Sequence, residues 1–188
     1  MRAVFGILTV LALLAPGAMA PNNADAQDIN TPHTGSRPFQ LDLHAGFTWH
    51  GVGAASGVRF GIPLMENGFI GTLNNAVYLN FGADFYWVQW RDRGRGNGWD
   101  YNWGMGFPVT LHWEFYFSES WSAFAEIGAQ FYVHPEWLHG NGRFEVRQWG
   151  QWFIAAVGGS WHITPNFALT VRVGNPYVAA GLTFQFGS

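Results

Sequence analysis

Residues 103–117 read WGMGFPVTLHWEFYF, and parity divides them into two kinds of side chain. The odd positions, Trp103, Met105, Phe107, Val109, Leu111, Trp113, Phe115 and Phe117, are large and apolar. The even ones, Gly104, Gly106, Pro108, Thr110, His112, Glu114 and Tyr116, are mostly small, polar or ionisable. An alternation of period two places the rows on opposite faces of a β-strand. In water the apolar row would be the core and the polar row the wet exterior, whereas in lipid the assignment inverts. The fold therefore depends on which solvent surrounds the strand.

The same alternation recurs along the chain. Eight segments carry it, at roughly 39–50, 56–62, 76–90, 103–117, 121–134, 149–163, 167–174 and 177–186. In the first, Leu41, Leu43, Ala45, Phe47 and Trp49 oppose Gln40, Asp42, His44, Gly46 and Thr48. In the second, Val58, Phe60 and Ile62 oppose Arg59 and Gly61, and in the third Leu79, Phe81, Ala83 and Phe85 oppose Asn80, Gly82 and Asp84. Glu126 in the fifth and Arg172 in the seventh also belong to rows opposite the apolar ones.

Three features select lipid. The apolar rows persist through several strands of about ten residues, the length a tilted strand needs to cross a bilayer. Aromatic residues gather towards strand ends, with Trp113, Phe117, Trp121 and Trp161 at one rim and Trp49, Trp87, Trp103 and Trp149 at the other. Such residues favour the headgroup level and form two girdles. The opposite rows mix glycine, aromatic and ionisable residues in a way that no dry core accommodates. A soluble lipocalin-like barrel would instead carry outward rows rich in lysine and glutamate, but this chain has no lysine and is 11% charged. Closing the strands into a barrel also satisfies the backbone amides, as lipid requires. The expected fold is thus all-β, an eight-stranded antiparallel transmembrane barrel over 39–186.

The rest of the chain fits that location. Met1-Arg2, the apolar run AVFGILTVLALLA and small-residue sites ending at Ala26 read as a signal peptide over 1–26. Residues 27–38 are polar and contain proline, and are expected to form a flexible lead-in. Short turns at 118–120 and 164–166 alternate with long polar loops at 91–102 and 135–148, as periplasmic turns and extracellular loops do in outer-membrane barrels. Two connections depart from this scheme: 63–75 is long for the periplasmic rim, and Asn175-Pro176 is short for the other. A net charge of −3 argues against nucleic acid as a partner, and the absence of cysteine excludes disulfides and thiolate metal sites.

The last segment reads AAGLTFQF, with Gly181, Phe184 and Phe186 at the glycine and aromatic positions of the C-terminal assembly signal of bacterial outer-membrane barrels. Ala179 occupies the usually polar position, and Gly187-Ser188 trail beyond the terminal aromatic. With the signal peptide and eight strands, the chain resembles the small OmpA/OmpX-like barrels. That resemblance implies integral residence in a bacterial outer membrane, insertion by the barrel-assembly machinery, and contact with outer-membrane lipids and lipopolysaccharide. It leaves activity open, because the superfamily includes anchors, adhesins, narrow pores and lipid-modifying enzymes.

An eight-stranded barrel has an interior just wide enough for side chains to fill it. Inward charges must therefore pair, and Asp42, His44, Arg59, Asp84, His112, Glu114, Glu126 and Arg172 are expected to form a polar plug. Centring the short turns on Glu119 and Pro165 puts His112 opposite Glu126 and Gly158 opposite Arg172. A level register between the fifth and sixth strands would let Glu126 reach Arg172 over the bare Gly158. Arg91, Arg93 and Arg95, together with Arg143 and Arg147, offer guanidinium groups to lipopolysaccharide phosphates. Seven histidines show no HxH or HExxH spacing, so no metal and no cofactor are expected. Ser160 with His162, Ser122 with Glu126, and His112 with Glu114 are the combinations from which an enzyme would be built. The reading adopted is a non-catalytic, monomeric barrel with a structural or surface-interaction role. The alternatives are a narrow passive pore and, behind it, a lipid-modifying enzyme.

Overall fold

The computed structural model describes residues 28–49, 52–91, 99–133 and 153–187, with 52, 88–91 and 99–102 described as backbone only. Eight strands follow in order: β1 Phe39–Thr48, β2 Val52–Met65, β3 Asn75–Arg91, β4 Trp99–Tyr116, β5 Trp121–Val133, β6 Phe153–Thr164, β7 Phe167–Asn175 and β8 Tyr177–Phe186. Each pairs antiparallel with the next, and β8 returns to β1 to close the barrel. The closing seam runs from Phe39 opposite Phe186 to Thr48 opposite Tyr177, so the ring leaves no edge strand.

Alternation along the strands gives the barrel an inverted polarity. Outward rows carry exposed Phe47, Val109, Ile127 and Val157, each more than half accessible. Inward rows hold buried Asp42, His44, Arg59, Asp84, His112, Glu114, Glu126 and Arg172. A water-soluble monomer rarely exposes a contiguous apolar patch beyond a few hundred Å². Here the apolar surface wraps all eight strands, and hydrocarbon is the solvent that it fits. The rims carry the aromatic residues: Trp121 stacks on Trp161 at one end, with centroids 5.9 Å apart, and Phe85 stacks on Trp103 towards the other. Trp49, Trp87 and Phe117 are also outward and exposed, while Trp149 lies outside the described residues.

Several strands are longer than their alternating rows. β2 runs from Val52 to Met65 instead of 56–62, because Gly53, Ala54, Ala55, Ser56 and Gly57 give no contrast in size or polarity between faces. β3 and β4 continue their ladder as far as Arg91 opposite Trp99, into the segment expected to be loop. Beyond the lipid both faces of a strand are wet, so pairing continues without alternation. β1 ends at Thr48, two residues short of expectation, and Trp49 turns away with its indole Nε1 donating to the Gly174 carbonyl at 2.6 Å. The connections at the lower rim, 66–74, 117–120 and 165–166, place β4–β5 and β6–β7 on tight turns.

Placing a cation on the outward row is expected to cost about 2–4 kcal/mol at mid-depth in a bilayer. Val109→Arg should therefore lower unfolding stability in lipid vesicles by that amount, whereas Asn166→Arg, on an exposed turn, should leave it nearly unchanged. Urea titration of the two variants against the parent protein checks the difference.

Candidate functional site

The interior is built from one side of every strand. Asp42 and His44 come from β1, Arg59 from β2, Asp84 and Tyr86 from β3, and His112, Glu114 and Tyr116 from β4. Ser122 and Glu126 come from β5, Ser160 and His162 from β6, Thr170 and Arg172 from β7, and Tyr177 and Thr183 from β8. These side chains form two carboxylate–imidazole–carboxylate units joined by two arginines.

In the upper unit, His44 Nδ1 faces Asp42 Oδ1 at 2.7 Å and Nε2 faces Asp84 Oδ1 at 3.1 Å. In the lower one, His112 Nδ1 faces Glu126 Oε1 at 2.9 Å and Nε2 faces Glu114 Oε2 at 3.7 Å. Both nitrogens of the His44 ring are within hydrogen-bond reach of carboxylates, whereas in His112 only Nδ1 is and Nε2 makes no hydrogen bond. Arg59 joins the units, with Nη1 donating to Glu126 Oε2 at 2.8 Å and Nη2 lying 3.3 Å from Asp84 Oδ2. Arg172 joins them again, at 3.0 Å from Asp42 and 3.7 Å from Glu126. Four carboxylates thus meet two guanidinium groups and two imidazole rings, and all are buried. A buried charge needs such partners, since desolvation otherwise outweighs attraction.

Hydroxyls occupy the remaining acceptor positions. Tyr177 donates to Asp84 at 3.0 Å and accepts from Arg59 at 2.6 Å, with its ring stacked on His44. Glu114 accepts from Gln40 at 3.0 Å, Tyr116 at 2.9 Å and Ser122 at 2.6 Å. A hydroxyl ladder from Ser160 through Thr170 and Thr183 ends on Asp42 Oδ2, with steps of 3.2, 2.7 and 3.2 Å. Tyr177, Tyr86 and Gln40 are absent from the sequence-derived candidates, although their parity places them on inward rows. Arg37 is also absent, because it precedes β1 and has no periodic signal. It is buried beneath the barrel, donates to Asn74 Oδ1 at 2.6 Å and to the Glu66 carbonyl, and lies 4.3 Å from the centre of the Tyr116 ring. Nearby on the same lead-in, burial and the Arg37 guanidinium push His33 below its usual value.

Register explains how the pairs meet. His112 lies opposite Glu126 and Gly158 opposite Arg172, as the short turns require. The level β5–β6 register is corrected: Glu126 faces Ala156, and Gly158 faces Phe124. Gly158 therefore makes room for the Phe124 ring, which a Cβ there would strike, and Arg172 reaches Glu126 on a diagonal. The bare crossing occurs instead at Gly57, between His44 and Asp84 in the ladder, where any side chain would meet both of them.

The catalytic combinations take a different form. Ser160 bonds to Thr170, and His162 Nε2 lies 3.0 Å from Ser122 on the neighbouring strand. The Ser122 hydroxyl donates a hydrogen bond to Glu114, and the same His162 nitrogen lies 4.0 Å from that carboxylate. A nucleophile, base and orienting group in series would require the acid on the other ring nitrogen. Among the described residues, no group of three or more His, Asp or Glu side chains is arranged to hold a metal. Gly181 lies opposite His44, next to Asp42, while Phe184 and Phe186 point outward on β8. Arg91 ends β3 as backbone only, and Arg93, Arg95, Arg143 and Arg147 lie outside the described residues.

No family model and no curated protein matches the chain. Among solved structures, a de novo designed transmembrane β-barrel is similar over 83% of this chain and all of its own, at 12% identity and a TM-score of 0.49. A second designed barrel, solved in solution by NMR, matches 81% of this chain and 96% of its own, at 12% identity and a TM-score of 0.46. The outer-membrane protein Ail of Yersinia pestis, whose backbone structure was obtained in a phospholipid bilayer nanodisc, matches 80% of this chain and 100% of its own. Its identity is 13% and its TM-score 0.45. Likeness at this distance carries nothing about activity or individual residues, so the functional reading rests on the barrel itself.

Removing one partner from the network should cost more than removing a complete pair. Arg59→Met leaves Asp84 and Glu126 short of a cation and is expected to destabilise the protein by about 3–5 kcal/mol. Adding Glu126→Gln should recover part of that loss. Urea unfolding of the single and double variants in lipid vesicles measures both values.

Proposed function

We propose that this protein is a non-catalytic barrel of a bacterial outer membrane whose interior is sealed by its own ion pairs and whose role is structural or surface-interacting. The observation that carries this reading is the Arg59–Glu126 contact at 2.8 Å, which joins β2 to β5 through the lumen. Arg172 and the two histidines surround that contact with further charge pairs. An ion entering the barrel would have to break several buried pairs at once, which opposes free passage. The inverted polarity supports residence in lipid, and the Gly181, Phe184 and Phe186 pattern supports delivery by the barrel-assembly machinery. Arg91, Arg93 and Arg95, close together in sequence, suit lipopolysaccharide phosphates, and the closed seam between β1 and β8 suits a monomer.

Planar-bilayer recording tests the sealed interior. The parent protein is expected to give no unitary current steps, while the double variant Glu126→Ala, Arg172→Ala should admit small ones. Steady conductance of equal size from both proteins would sink the proposal in favour of a passive pore.

A further inference from the structure

The β2–β3 connection is longer than its place in the ring demands. Adjacent antiparallel strands need only a two- to five-residue turn, as 117–120 and 165–166 provide at the same rim, yet 66–74 spans nine residues. Its conformation is organised from within. Asn75, fully buried, donates through Nδ2 to the carbonyls of Ile70 and Leu73 at 2.8 Å each and accepts from Trp113 Nε1 at 2.8 Å. Asn67 Nδ2 bonds to the Gly71 carbonyl at 3.1 Å, and Gly68 takes a φ of 45° that a side chain would strain.

The segment has two unlike sides. One is tied to the polar lead-in: Arg37 donates to the Glu66 carbonyl, His33 N–H to Asn67 Oδ1, and Asn74 N–H to the Ile29 carbonyl. The other presents Leu64, Met65, Phe69 and Ile70, with Phe69 60% exposed. Residues 67–75 contain no charged side chain. Phe69 meets the outward Trp113 edge-on at 5.3 Å, and Trp113 in turn lies over Phe115 at 4.7 Å. Phe69 also lines an outward apolar groove of about 550 Å³ together with Val77, Leu111, Ile127 and Val157. The apolar side of the loop is thus continuous with the lipid-facing belt, whereas its polar side faces the lead-in.

We propose that residues 67–73 form a membrane-docking element, with Phe69 and Ile70 inserted among the phospholipids of the adjacent leaflet beside the Trp113 girdle. The proposal rests on the bilayer reading of the barrel, which the experiment tests separately. Apolar side chains on one face, polar anchoring on the other and contact with an aromatic girdle are the features by which a segment lies in a membrane interface. The loop would widen the barrel's footprint in one leaflet and fix its depth.

The chain has no cysteine, so single labelling sites can be introduced directly. Phe69→Cys, Ile70→Cys, Val109→Cys and Asn166→Cys would each carry a nitroxide in phosphatidylcholine–phosphatidylglycerol vesicles, with collisions measured against oxygen and a water-soluble nickel chelate. Val109 is expected to favour oxygen strongly and Asn166 the chelate. Labels at 69 and 70 should each favour oxygen at least tenfold over Asn166. Chelate-dominated collisions at both loop sites, with Val109 still oxygen-dominated, would overturn the docking element and leave the barrel in its bilayer. Chelate-dominated collisions at Val109 would overturn both readings.

Discussion

Arg59 holds Glu126 at 2.8 Å across the inside of the ring, and the surrounding interior depends on that contact. Eight strands enclose a space that side chains can fill, while the lipid-facing side of each strand takes its apolar residues. What remains for the interior is polar, and its charged groups lie buried against one another. Glu126 therefore serves as a hub, meeting Arg59, Arg172 and His112 from three other strands. Remove it, and two guanidinium groups and an imidazole face each other without the carboxylate that joins them.

The two ends of the lumen are packed differently. The upper level combines Tyr86 and Tyr177 with Ala55 and Ala179, so aromatic bulk lies against small residues. The lower level places Tyr78 and Tyr116 hydroxyls 3.1 Å apart, and Arg37 enters from the lead-in beneath them. The charged middle lies between an aromatic layer above and a cation-braced aromatic layer below.

Most of the wall was legible in the sequence because a single parity rule assigns faces along a whole strand. Short turns extended that reading to register, which is why His112 opposite Glu126 and Gly158 opposite Arg172 could be anticipated. Register across β5–β6 could not, since the long connection between those strands imposes no turn constraint, and the pairing falls two residues from level. Strand lengths failed where composition lost contrast, at the small residues of β2 and in the wet extensions of β3 and β4. The candidate site was legible as a set of charges but not as a wiring diagram. Which carboxylate meets which arginine depends on side-chain reach through the interior, and Arg37 entered from a segment without any period.

Gly181, His44 and Gly57 lie side by side on β8, β1 and β2. Across those three strands, one imidazole is the only side chain projecting inward at that level. The wall behind it is bare backbone, so its shape would barely respond to changes elsewhere in the lumen. For protein engineering, this makes His44 the natural keyhole of the barrel. Replacing the ring with a smaller group would leave a space bordered by Asp42, Asp84 and Tyr177, the three side chains that contact it now.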